Sequence, residues 1–224
     1  MKNKNIYIFV LCSIILLGIL QIKIVKQTNI LKEGLQDKNF VILLGDSIFQ
    51  NKGYVKDENT IENKLKNKIN SLVLAKDDSL IEDVISQYNE IPEELNEPNT
   101  YLFISIGGND LLGYYVTNQY NSDDLSKFNI VWDKYVREIN KIINKTKCTV
   151  VLTDLYYVYE NTYHKYYNII DAWNNNLERF SKKKNILLYK ISELVKREKD
   201  YVNIIEPSKY GSQIIVDNIV NFNS

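Results

Sequence analysis

The stretch FVILLGDSIFQN, residues 40–51, decides how the rest of the chain is read. Phe40 to Leu44 is an uninterrupted apolar run, the pattern of a strand buried on both faces, and it breaks abruptly into Gly45-Asp46-Ser47. Open parallel sheets bind ligands beyond the carboxyl ends of their strands, so a carboxylate and a hydroxyl at that break are placed for chemistry. Working outward, Ser71 to Ala75, Tyr101 to Ile106, Thr149 to Thr153 and Ile186 to Tyr189 repeat the short apolar pattern. Between them, Leu125, Phe128, Trp132, Tyr135, Ile139 and Ile142 recur at three- and four-residue steps, as do Tyr166, Ile170, Trp173, Leu177 and Phe180. Both series are helix stripes facing a core. The alternation predicts an α/β fold, a three-layer α/β/α domain around a mostly parallel five-stranded sheet.

With 224 residues, 45% hydrophobic and 25% charged, the chain suits one globular domain with an appendage and excludes a disordered or disulfide-scaffold protein. Lys plus Arg equals Asp plus Glu at 28 each, which argues against a nucleic-acid partner, since that affinity rests on excess cations. One histidine, His164, and two cysteines, Cys12 and Cys148, are too few for a soft-ligand zinc site. No metal and no cofactor is expected. Eight Gly and three Pro leave no flexible linker, and no internal repeat is visible.

The appendage is residues 6–22, IYIFVLCSIILLGILQI, behind Lys2 and Lys4 and closed by Lys23 and Lys26. A spanning helix takes about 17–25 residues and a signal-peptide core about 7–15. The run lacks a small-x-small cleavage pattern, and Val10 and Leu11 precede Cys12 where a lipoprotein signal has small residues. It predicts an uncleaved transmembrane signal anchor over residues 1–27, with residues 28–224 as the exported domain. Cleavage and secretion is the alternative. Cys12 would lie in lipid and Cys148 in the domain, so no internal disulfide is expected.

The loops after the strands hold the candidate chemistry. They are Gly45-Asp46-Ser47, Lys76-Asp77-Asp78-Ser79, Gly107-Gly108-Asn109-Asp110 and Asn203-Ile204-Ile205-Glu206-Pro207-Ser208. Together they supply a hydroxyl nucleophile, N–H and amide donors and a carboxylate, the set that acyl transfer needs. Each is also an ordinary turn sequence; their order after successive strands makes the pattern.

These residues resemble the SGNH/GDSL hydrolases over about residues 38–222. LLGDSI, residues 43–48, is similar to that family's first block, which makes Ser47 the nucleophile, and ISIGGNDLL, residues 104–112, is similar to its third, which makes Asn109 the oxyanion amide with Gly108 beside the substrate. The resemblance implies a flavodoxin-like strand order and ester hydrolysis or acyl transfer on small acyl esters, such as O-acetyl groups of a cell-surface glycan or lipid esters. LAKDDSLIEDV, residues 74–84, resembles the second block with Asp78 at the position of a Gly whose N–H joins the oxyanion hole. In the last block the usual Asp-x-x-His-Pro is replaced: Asn203 stands for the Asp and Glu206 for the His. That matches a subgroup reading Asn-x-Ile-Glu-Pro-Ser there and GDSIFxN near the start, as in Gly45 to Asn51.

Three readings of the missing histidine stay open. Glu206 acts as base, its pKa raised from about 4.3 by desolvation; His164 serves from another loop; or the site is dead for hydrolysis and kept as a membrane-anchored binding module. Tyr156, Tyr157, Tyr159, Tyr163, Tyr166 and Tyr167 either line a sugar or acyl pocket or pack their own helix. Asn144-Lys145-Thr146 is a glycosylation sequon that matters only in an exported eukaryotic chain.

Overall fold

In the computed structural model, which describes residues 40–117 and 125–222, the run from Phe40 forms strand β1, Phe40–Gly45. It pairs in parallel with β2 (Ser71–Val73) on one side and β3 (Thr100–Ser105) on the other. Beyond β3 lie β4 (Thr149–Thr153) and β5 (Leu187–Tyr189), so the order is β2-β1-β3-β4-β5 with every pairing parallel. Val41 to Leu44 and Leu102 to Ser105 are buried throughout, as central strands covered on both faces must be.

The helices fall into two groups. One contains α1 (Ile61–Lys66) packed on the C-terminal helix. The other contains α2 (Val84–Asn89), α4 (Leu125–Ile143) and α5 (Tyr167–Lys184), in contact α2 to α4 and α4 to α5. Between β3 and α4 the short α3 (Gly108–Leu111) runs into a wide π-helical turn, Leu112–Thr117. The C-terminal helix, α6, spans Lys209–Asn221. Within the stripes of α4 and α5, Phe128, Tyr135, Ile139, Ile142, Trp173 and Leu177 are buried, and the Trp173 ring meets Tyr135 at 4.9 Å and Trp132 at 5.3 Å in edge-on packing. On β3, Phe103 packs edge-on against Phe222 beyond α6 at 5.3 Å.

The expected strands are present with adjusted ends. β2 stops at Val73 because the N–H groups of Leu74 and Ala75 both converge on the Leu43 carbonyl, at 2.9 and 3.1 Å, which ends the ladder. A small antiparallel hairpin, β6 (Tyr201–Val202) with β7 (Glu206–Pro207), was not expected; two-residue strands carry no periodicity. Cys148 is a free, buried thiol. The anchor expected over residues 1–27 lies outside the described residues, and none of the described helices is long and apolar enough to cross a membrane.

In this strand order the connections leave β1 and β3 in opposite directions, which opens a crevice beyond their carboxyl ends. Gly45 is level with Ser105 in that register, so the loops bearing Ser47 and Asn109 begin side by side.

Candidate active site

Ser47 is positioned by a turn that only glycine can open. Gly45 has φ +135°, and a Cβ there would stand 1.8 Å from the Ser105 carbonyl oxygen. Gln87, fully buried on α2, clamps the turn: the Gly45 N–H donates to Gln87 Oε1 at 2.7 Å, while Gln87 Nε2 donates to the Gly45 carbonyl at 2.9 Å and to Ser79 Oγ at 3.0 Å. The Asp46 carbonyl then accepts from the Phe49 and Gln50 N–H groups, and its Oδ1 from Ile48 N–H at 3.2 Å. Ser47 is left at the crest of one tight turn. Its N–H has no acceptor among the described residues and remains available to a ligand.

Glu206 arrives from the other end of the sequence. In the β6–β7 hairpin Glu206 pairs with Val202, and the next carbonyl, of Pro207, accepts from Asn51 Nδ2 at 3.1 Å. Asn51 Nδ2 also donates to Ser212 Oγ on α6 at 2.6 Å, and its Oδ1 accepts from Ile61 N–H at 3.0 Å, so one amide ties the nucleophile loop, α1, α6 and the Glu206 strand together. On the cleft side the Tyr156 hydroxyl donates to the Ile205 carbonyl. Held this way, Glu206 Oε1 accepts a hydrogen bond from Ser47 Oγ at 3.2 Å. Oε2 is buried and accepts none among the described residues.

Burial decides the electrostatics. It pushes the Glu206 carboxyl up to about 7, against the lowering effect of the Ser47 hydroxyl and with help from the negative Asp77 and Asp78. Burial also pushes Asp46 up to about 7; the Ile48 N–H opposes this and the Glu206 charge adds to it. A carboxylate hydrogen-bonded to a serine, with a proton affinity matched to neutral pH, can work as a general base.

The donors are less symmetrical. Asn109 lines the same cleft as Ser47, and Nδ2 donates one hydrogen to the Ser79 carbonyl at 3.0 Å, leaving the second. Gly108 lines the cleft too. A Cβ on Gly108 would meet nothing closer than 3.7 Å, whereas one on Gly107, at φ +111°, would stand 2.5 Å from the Trp173 ring. Gly107 is thus the residue that lets the chain turn into α3. Asp78 sits outside the cleft at φ +58°, the left-handed region that glycine adopts most readily, and its N–H is taken by Asp77 Oδ1 at 2.9 Å. Asn203 is likewise outside: it is exposed, at φ +48° in a tight turn whose carbonyl accepts from Ile205 N–H at 2.9 Å, and it makes no hydrogen bond to Glu206.

His164 is exposed on the turn before α5, its ring tilted against Tyr167 at 4.8 Å, and lines a separate hollow with Tyr157, Tyr159 and Tyr167. The tyrosine cluster is split: Tyr156, Tyr163 and Tyr166 face the Ser47 cleft instead. Sequence reasoning missed Gln87, which no local pattern marks, and the aliphatic cleft wall contributed by Leu112, Leu155, Val158, Ile169 and Ile170. Among the described residues no three His, Cys, Asp or Glu side chains are grouped as metal ligands.

A serine hydrogen-bonded to a buried carboxylate at the switch point of such a sheet has the makings of an α/β/α serine hydrolase site. Residues 41–219 match the model of the GDSL-like Lipase/Acylhydrolase family, and the chain belongs to that family, whose class is hydrolysis of ester bonds. No match is found among curated proteins. Solved structures similar to it include a lipolytic protein of the G-D-S-L family from Veillonella parvula, 14% identical, with a TM-score of 0.63, 81% of this chain and 96% of that one covered. A psychrotrophic esterase from a Pseudoalteromonas species, inhibited by monoethylphosphonate, is 14% identical over 82% and 95%, with a TM-score of 0.59. A catalytic mutant of an acetylxylan esterase from Geobacillus stearothermophilus is 13% identical over 82% and 93%, also at 0.59. At such identities the likeness is one of fold.

Proposed function

We propose that the chain is a serine ester hydrolase or acyl transferase in which Glu206 replaces the histidine base. The observation that carries this reading is the Ser47 Oγ to Glu206 Oε1 hydrogen bond of 3.2 Å, made to a carboxylate raised to about 7. In the first half-reaction the Ser47 hydroxyl proton passes to Glu206 as Oγ bonds to the ester carbonyl carbon, and the carbonyl electron pair moves onto oxygen. The Ser47 N–H and the free Asn109 amide hydrogen face that oxyanion. Collapse breaks the carbon–oxygen bond to the leaving alcohol, which takes the proton back from Glu206. Water then repeats the sequence on the acyl-Ser47, releasing the acid, while a second alcohol in its place gives acyl transfer.

The substrate is an acyl ester carried by a cell-surface glycan or lipid, and residues 6–22 tether the domain to the membrane on its exported side. Supporting the tether is an apolar run flanked by lysines at both ends. Hydrolysis of p-nitrophenyl butyrate by the full-length protein tests the catalytic reading. Turnover is expected to fall to background in Ser47→Ala and by about 100-fold or more in Glu206→Gln. Turnover that survives Ser47→Ala would remove Ser47 as the nucleophile, and none in the wild type would leave the binding module as the better description.

A further inference from the structure

Resting on that reading of Ser47 and Glu206, we propose that the ester's acyl group is an apolar chain of medium length, bound in the cleft that opens beside the nucleophile. Ser47, Asn109 and Glu206 line that cleft together with Leu112, Tyr115, Leu155, Val158, Ile169 and Ile170. About 760 Å³ of empty space, open solvent at the mouth included, borders these walls. Most of the lining side chains are aliphatic or aromatic, and the charged or amide groups among them are Asp46, Asn109 and Glu206. The hydroxyl of Tyr156 is committed to the Ile205 carbonyl, so this residue adds ring surface to the wall rather than a free hydrogen-bonding group. Tyr115, Leu155, Val158 and Ile169 are buried in the fold, and Leu112 and Ile170 are half-buried at the rim.

This arrangement is poor for an acetyl group. A methyl beside the carbonyl carbon would cover little of the wall and leave the rest of the apolar surface facing water. Each further methylene that enters raises transition-state binding about fourfold, from the usual free energy of burying a CH₂. Sugar hydroxyls would find few partners there. A glycan, where one carries the ester, belongs on the leaving-alcohol side, outside this pocket. The two ends of the substrate are thus told apart by chemistry, with the chain inside and the alcohol toward solvent.

The test compares p-nitrophenyl acetate with p-nitrophenyl octanoate on the full-length protein, and adds octanamide and acetamide as uncharged, unreactive probes. Expected is a kcat/KM at least about 100-fold higher for the octanoyl ester, the sum of some four buried methylenes. Octanamide is expected to inhibit acetate-ester hydrolysis competitively at concentrations where acetamide does not. Ile170→Trp and, separately, Leu112→Trp fill the rim of the cleft and should lower the octanoyl-to-acetyl ratio at least tenfold, a ratio that is unaffected by the fraction of protein correctly folded. Acetyl turnover equal to or above octanoyl turnover, still abolished by Ser47→Ala, would overturn the acyl-chain assignment and leave the hydrolase standing. Absence of Ser47-dependent turnover on every ester would overturn both.

Discussion

A carboxylate and an imidazole differ as bases in what they become on taking a proton. Imidazole becomes a cation and gains from a carboxylate behind it; glutamate becomes neutral and needs none. That difference accounts for the pairing of changes in the last block. With Glu206 as base, a second acid at position 203 would only add negative charge near the site, and Asn203 is turned out to solvent. The requirement on Glu206 is instead a dry environment that raises its proton affinity, and this environment has a consequence for stability. A carboxyl raised from 4.5 to about 7 on folding contributes fully to stability below the unfolded value and loses that contribution as pH rises through 7. Glu206→Gln should therefore match the wild type in thermal unfolding at pH 4 and exceed it at pH 8 by about 1–2 kcal/mol, roughly 3–6 °C. Equal melting temperatures at pH 8 would show that Glu206 is not held in a desolvating site.

At the scale of elements, the nucleophile depends on contacts made far along the chain. The Gly45 turn is fixed by Gln87, 42 residues away, and the Glu206 strand by Asn51, 156 residues from Pro207. Truncating Gln87 to Ala orphans the buried N–H and carbonyl of Gly45, and is expected to lower stability by about 2–4 kcal/mol, measured by urea unfolding. A loss under about 0.5 kcal/mol would mean that water or a neighbour takes over the clamp. The same contrast explains what the sequence reveals. Ser47 and Asn109 were legible because a buried parallel strand ends in each case in a glycine-bearing loop, a local signal. Gln87 lies on a helix with nothing local to distinguish it, and its role exists only once β1 and α2 are packed. Asp78 and Asn203 were assigned to the site by their places in the resembled blocks. Both instead have positive φ, where short polar side chains are tolerated, and both side chains stand outside the cleft.

Over the whole molecule, five short apolar runs and two helix stripes were enough to anticipate a parallel sheet, because burial on both faces erases the alternation an exposed sheet would show. The cleft was less legible. Its wall is drawn from the π-helical turn, the loop after β4 and the start of α5, and each contributes residues indistinguishable in sequence from core positions. The six tyrosines after β4 illustrate this, since neighbours in sequence face two different hollows. The tether proposed for residues 6–22 makes a further prediction at this scale: full-length protein should sediment with membranes and resist alkaline extraction, while deletion of residues 1–27 should release it. Release of the full-length chain by alkali would remove the anchor from the account.

Activation of Ser47 by Glu206 is read out in the rate of Ser47 phosphonylation as a function of pH. Full-length protein exposed to a fluorophosphonate, with intact mass as the readout, should gain one adduct that Ser47→Ala lacks, at a rate rising through about pH 7 as Glu206 loses its proton. In Glu206→Gln the reaction should be slower and that pH dependence gone. No adduct on the wild type, or an adduct whose rate ignores both pH and Glu206, would contradict it.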